Sequence, residues 1–119
     1  MLEISEKQKI IARFMGLIPN PYDNGKTWAV EVETIDGQVY GYNWIKLFYY
    51  TSWDYLMPVV EKINRFDWVQ IMSGECKIHA MQPDQFRTIR IIKEEEPLIN
   101  SVFEACFQYA EWFLSSNNA

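Results

Sequence analysis

The sequence predicts an α+β fold: an antiparallel β-sheet packed on one face by helices. Three observations carry that expectation. A dense apolar stripe at helical spacing fills residues 53–63, a second fills residues 98–113, and three β-rich segments with short turns lie between them. These segments read as a three-stranded C-terminal meander, with an N-terminal hairpin ahead of it. The chain of 119 residues is read as a single domain, 1–119, long enough to bury a core of its own.

Ser5-Glu6-Lys7-Gln8 has the spacing of a capping box with Ser5 as N-cap, and Ile10, Ile11, Phe14 and Met15 then recur at helical spacing. Gly16 fits the stop of this short helix. Residues 19–26 are rich in turn formers and read as a loop. Val30, Val32 and Thr34 next alternate with Glu31 and Glu33, and Asp36-Gly37 leads into Val39, Tyr40 and Tyr42. Asp-Gly between β-rich flanks predicts a hairpin, because a type I′ turn needs positive φ at both central residues. The run Trp44-Ile45-Lys46-Leu47-Phe48-Tyr49-Tyr50 is apolar enough to be buried or to form a contact surface.

Thr51 and Asp54 match a second capping box, and Asp54 suits the positive end of the helix dipole. Trp53, Leu56, Val60 and Ile63 form the stripe, widened by Met57 and Val59. Pro58 lacks a backbone donor and predicts a kink or a fresh start within it. In the meander, Val69, Ile71, Cys76, Ile78, Ala80, Ile89 and Ile91 fall on one face by the two-residue period. Gln70, Lys77, His79, Thr88 and Arg90 share the other with Trp68, Met72 and Met81, the pattern of a sheet with one packed and one mixed face. Turns are expected at Ser73-Gly74 and Pro83-Asp84.

The acids Glu94, Glu95 and Glu96 precede Pro97, which suits a first helical position. Leu98, Val102, Ala105, Tyr109 and Trp112 run along one face of the last helix, and the tail Ser115-Ser116-Asn117-Asn118-Ala119 is expected to fray. The core expected from these stripes is Trp53, Leu56, Val60, Ile63, Val102, Cys106, Tyr109 and Phe113.

Composition narrows function by exclusion. The formal charge is −5 and the cations are scattered, so the basic stripe of a nucleic-acid binder is missing and no direct nucleic-acid binding is expected. Two cysteines are too few for a disulfide framework, the N-terminus is polar rather than signal-like, and no apolar run approaches a membrane span. The expected compartment is the cytoplasm, with no membrane partner and both thiols reduced. Five Trp, seven Tyr and seven Phe exceed what so small a core hides, which points to aromatics at a surface that meets another molecule.

Catalytic patterns are sparse. Cys76 and His79 have Cys-x-x-His spacing, but a closed zinc site needs two more ligands, and positions three apart on a strand face opposite ways. Asp67 with Glu75-x-Lys77 is a fragment of an acid–lysine nuclease set without the Pro-Asp that precedes it in such enzymes. The dispersed glycines offer no phosphate loop. No catalytic residue, metal or cofactor is therefore expected.

The stretches Lys9-Ile10-Ile11-Ala12-Arg13-Phe14-Met15-Gly16, 50–63 and 102–113 together resemble a group of short uncharacterised bacterial and phage proteins. The likeness is tightest at Thr51-Ser52-Trp53-Asp54-Tyr55-Leu56-Met57-Pro58-Val59-Val60-Glu61-Lys62-Ile63, spans about a third of the chain, and does not reach residues 17–49. It implies a hypothetical protein associated with mobile elements and brings no activity, cofactor or catalytic residue. The order helix, three strands, helix from Thr51 onward also resembles the outline of a double-stranded-RNA-binding domain. Glu94, Glu95 and Glu96 stand where such domains place basic residues, so that likeness implies topology alone.

Two functional expectations follow. The leading one is a non-catalytic interaction or accessory protein, with a protein partner or a second copy docking on Trp44, Leu47, Phe48 and Tyr49. The other is a small-ligand binder or enzyme using a sheet face that carries Lys77, His79 and Arg90. His79 is the only histidine, so any imidazole chemistry must pass through it.

Overall fold

The computed structural model describes residues 2–33, 36–37, 39–82 and 85–117. The expectations that rest on Thr34, on the Pro83-Asp84 turn and on the Asn118-Ala119 tail end fall outside them, and the side chain of Met81 is likewise not described.

The first helix, α1 (Ile4–Phe14), stops where glycine permits it. Gly16 takes φ +81°, its N–H bonds to the Arg13 carbonyl, and the N–H of Leu17 reaches back to Ala12. That pair of bonds is a Schellman ending, which satisfies carbonyls the helix would otherwise leave bare. The start differs from expectation: Glu3, not Ser5, is the N-cap residue, and its side chain makes no capping bond.

Two antiparallel three-stranded sheets follow rather than one continuous sheet. The first is ordered β1 (Ile18–Pro19), β2 (Thr27–Glu33), β3 (Val39–Lys46), with Pro19 on an edge strand where its missing N–H is tolerated. The second is the expected meander, β4 (Trp68–Met72), β5 (Glu75–Gln82), β6 (Gln85–Ile92). Ser73-Gly74 joins β4 to β5 with Gly74 at φ +68°, and the Gly74 carbonyl accepts the Lys93 N–H and the hydroxyl of buried Ser101.

Between the two sheets in chain order comes α2 (Trp53–Asn64), unbroken through Pro58. Its N-cap is Ser52, again without a side-chain bond, so the Thr51–Asp54 capping box does not form. Leu56, Val59, Val60 and Ile63 are buried, whereas Trp53 is 38 % exposed and leaves the expected core. At about 100° per residue, Val59 and Ile63 pull the centre of the buried face away from Trp53 and Met57.

The last helix, α3 (Leu98–Asn117), begins directly after Pro97 and runs three residues into the tail that was expected to fray. It packs on β5 and β6, α1 packs on α3, and α2 touches both α3 and β4. Between these layers lies the core: Ile11, Phe14, Leu56, Ile63, Ile78, Cys76, Val102, Phe103, Cys106 and Tyr109, all buried. Phe14 meets Tyr109 and Phe113 edge-on, with ring centroids 5.7 Å and 5.3 Å away. Sequence reasoning missed Trp28 as a core residue; it is fully buried, and its indole N–H donates to the Gly25 carbonyl at 2.9 Å.

Candidate functional site

Register turns the second sheet into five cross-strand rows, two on its inner face and three on its outer face. Val69 pairs with Ile78 and Ile78 with Ile89, a row aimed at α3 and buried in all three places. Cys76 lies on this inner face too. The outer face holds the rows Trp68–His79–Thr88, Gln70–Lys77–Arg90 and Met72–Glu75–Ile92. Cross-strand neighbours within a row are the contacting unit of a sheet, so these side chains form one continuous surface.

The predicted trio Lys77, His79 and Arg90 is thus gathered on one face. Glu75 joins it: the Arg90 guanidinium donates to Glu75 Oε1, and Lys77 Nζ stands 3.8 Å from the same oxygen. The Arg90 hydrogen bond above all, with the charges of Arg90 and Lys77, holds the Glu75 carboxyl below the usual carboxylate range. Both cations therefore face the same carboxylate, while the Arg90 side chain stays 55 % exposed. His79 lies beside the Trp68 ring, centroids 5.5 Å apart, and its Nδ1 is 3.4 Å from the Thr88 hydroxyl.

On this face Trp68 is 58 % exposed at one end of β4, Met72 is exposed at its other end, and Ile92, 47 % exposed, closes the Met72–Glu75 row on β6. The two-residue period placed Trp68 and Met72 here; it equally placed Ile92, two positions beyond Arg90, and that signal went unused. Phe66, in the turn ahead of β4, is also exposed.

The other predicted set divides. Trp44 (46 % exposed) and Phe48 (44 %) reach the surface and Leu47 is half-buried, but Tyr49 is buried and cannot present its ring to a partner. Burial, with a smaller effect of Tyr55, pushes the Tyr49 hydroxyl up to about 12. Phe48 and Tyr49 both pack edge-on to Tyr55.

The remaining sequence candidates come apart. Cys76 and His79 point to opposite faces of β5, and Asp67 accepts a hydrogen bond from Tyr109 instead of joining Glu75 and Lys77. Among the described residues no three His, Cys, Asp or Glu side chains converge as a metal-holding group, and no helix is long and apolar enough to cross a membrane. Glu94, Glu95 and Glu96 lie exposed just ahead of α3. Comparison with protein-family models, with curated proteins and with solved structures finds no match for this chain.

Proposed function

We propose that this chain is a small, non-catalytic interaction or accessory protein that docks a protein partner, or a second copy of itself, on the outer face of its second sheet. The observation that carries the reading is the exposure on that one face of Trp68 and Met72 from β4 and of Ile92 beside Arg90 on β6. Trp, Met and Arg are the side chains enriched where proteins meet, and Trp and Arg account for much of the energy lost when such contacts are truncated. A charge pair on the same face, Arg90 with Glu75, adds specificity without leaving a strongly charged patch.

A ligand-binding role for Lys77, His79 and Arg90 is the second reading, drawn from their shared face. Glu75 beside both cations weighs against it, since an incoming anion must displace a carboxylate already in place. The cytoplasm suits two buried, free thiols. A mobile-element setting rests on the likeness at residues 51–63, and phage or plasmid genes beside this one would support it.

The test uses wild type and a Trp68→Glu/Ile92→Glu variant, both shown by thermal melting to fold. Light scattering reports self-association, and tagged protein is used for capture from lysate of the source cells. The reading expects a dimer, or a specific captured protein, that the variant loses. A monodisperse wild-type monomer that captures nothing the variant fails to capture contradicts it.

A further inference from the structure

A cleft of ≈ 380 Å³ lies between α1, the 20–27 turn and the end of β3. Three lysines line it, Lys9 from α1, Lys26 from the turn and Lys46 from the end of β3. Convergence of three cations is unexpected in a chain of formal charge −5. Lys9 has a loose partner, Glu6 at 3.4 Å, but Lys26 and Lys46 have no carboxylate partner among the described residues. Ser5, Gln8 and Thr27 add polar groups, while Leu47 and Phe48 make an apolar wall.

The cleft is built rather than incidental. Gln8 accepts the backbone N–H of Tyr50 at 3.2 Å, which ties α1 to the chain just beyond β3. On the opposite side the turn is locked from within. The Thr27 hydroxyl donates to Asp23 at 2.6 Å, the Asn20 side chain donates to Thr27 at 3.0 Å, and the Lys26 N–H donates to Asp23 at 3.0 Å. These bonds hold the Asp23 carboxyl below its usual range, the Thr27 hydroxyl foremost, and engage its charge inside the turn. Asn24 and Gly25 adopt positive φ (58° and 77°), which turns the chain so that Lys26 and Thr27 border the cleft. Phe48 is set by its edge-on contact with Tyr55, centroids 5.4 Å apart, and still keeps 44 % of its surface exposed.

We infer that this cleft binds a phosphorylated small molecule with a flat apolar body, of the size of a nucleoside monophosphate. Lysine ammonium groups are compact point charges that suit phosphate, whereas a carboxylate is matched better by the planar fork of arginine, and among the described residues no arginine lines the cleft. The volume falls within the range of small-molecule sites, and the Phe48 ring offers a surface on which a planar group can stack. The site is independent of the docking face proposed above, since none of its described lining residues belongs to the second sheet.

The test is a titration of ¹⁵N-labelled protein with adenosine monophosphate, followed by amide shifts, with adenosine and inorganic phosphate titrated alongside. Saturable shifts centred on Lys26, Thr27, Lys46 and Leu47 are expected with the nucleotide, weakening as salt is raised. Lys26→Ala/Lys46→Ala, at surface positions that leave the fold intact, is expected to weaken binding by about tenfold or more. Phe48→Ala weakens nucleotide binding but not the response to inorganic phosphate, whereas Trp68→Glu changes neither. Absence of saturable shifts at about 5 mM nucleotide, or equal affinity in the double-lysine variant, overturns the assignment. Tighter binding of a single-stranded oligonucleotide than of the mononucleotide overturns it as well.

Discussion

The phenolic hydroxyl of Tyr109, midway along α3, donates to the Asp67 carboxylate at 2.5 Å. Asp67 lies in the turn between α2 and β4, and its own N–H bonds to the Ile63 carbonyl at 2.8 Å. One side chain thereby joins the last helix to the junction from which the second sheet starts. Tyr109 is fully buried and Asp67 half-buried, so this bond is partly shielded from competing water. Tyr109→Phe is expected to lower stability by about 1.5–3 kcal/mol, the range for a hydrogen bond to a charged group. Urea denaturation with an unchanged slope measures it. A loss below about 0.5 kcal/mol, no more than a neutral surface substitution causes, contradicts the role given to the bond.

Alkaline pH should unfold the protein in a definite window. Desolvation, aided by Asp67, raises the Tyr109 pKa above its ordinary 10.0; burial pushes Tyr49 up to about 12, and Cys76, from an ordinary 9.0, also to about 12. Burial raises Cys106 too. Each group keeps its proton in the folded chain after the unfolded chain has lost it. The stabilisation is therefore complete below the unfolded values and disappears as pH climbs through the folded ones. Urea midpoints are expected to hold steady up to about pH 9 and to fall progressively between there and 12. Tyr109→Phe removes part of the fall. A midpoint that stays constant to pH 11 contradicts the burial of these groups.

The thiols should be silent in the native protein. Cys76 and Cys106 are free and fully buried, and their raised pKa values leave little thiolate, the reactive form. A chromogenic thiol reagent at neutral pH is expected to react only as fast as the protein opens, and to react with both cysteines at once in denaturant. Immediate reaction of either thiol in the folded protein contradicts this placement.

Legibility in the sequence followed the strength of local periodicity. The meander was readable nearly residue by residue, because Val69, Ile78 and Ile89 alternate cleanly with Trp68, His79 and Thr88. The last helix was readable from its long stripe, although its end was set too early because Ser and Asn weaken a helix by propensity that packing overrides. Capping boxes misled at both earlier helices, since the spacing of Ser5 with Gln8, or Thr51 with Asp54, says nothing about where the backbone leaves the helix. Trp28 and Tyr49 were lost to the same cause. Trp28 is held by the Gly25 carbonyl of the preceding turn and Tyr49, beyond the end of β3, by Tyr55 of α2, contacts that strand alternation does not report. The lysine cleft was invisible, because Lys9, Lys26 and Lys46 come from three separate elements and meet only in the fold.

Adjacent substitutions in β5 test the central claim most directly, that the second sheet has one sealed face and one open face. Ile78 is fully buried under α3, and His79, the next residue, lies on the outer face beside Trp68. Ile78→Ala is expected to lower stability by about 2–5 kcal/mol, and His79→Ala to change it by no more than about 0.5 kcal/mol. Equal losses at both positions, or a larger loss at His79, would mean that the outer face is packed inside the molecule and not open to a partner.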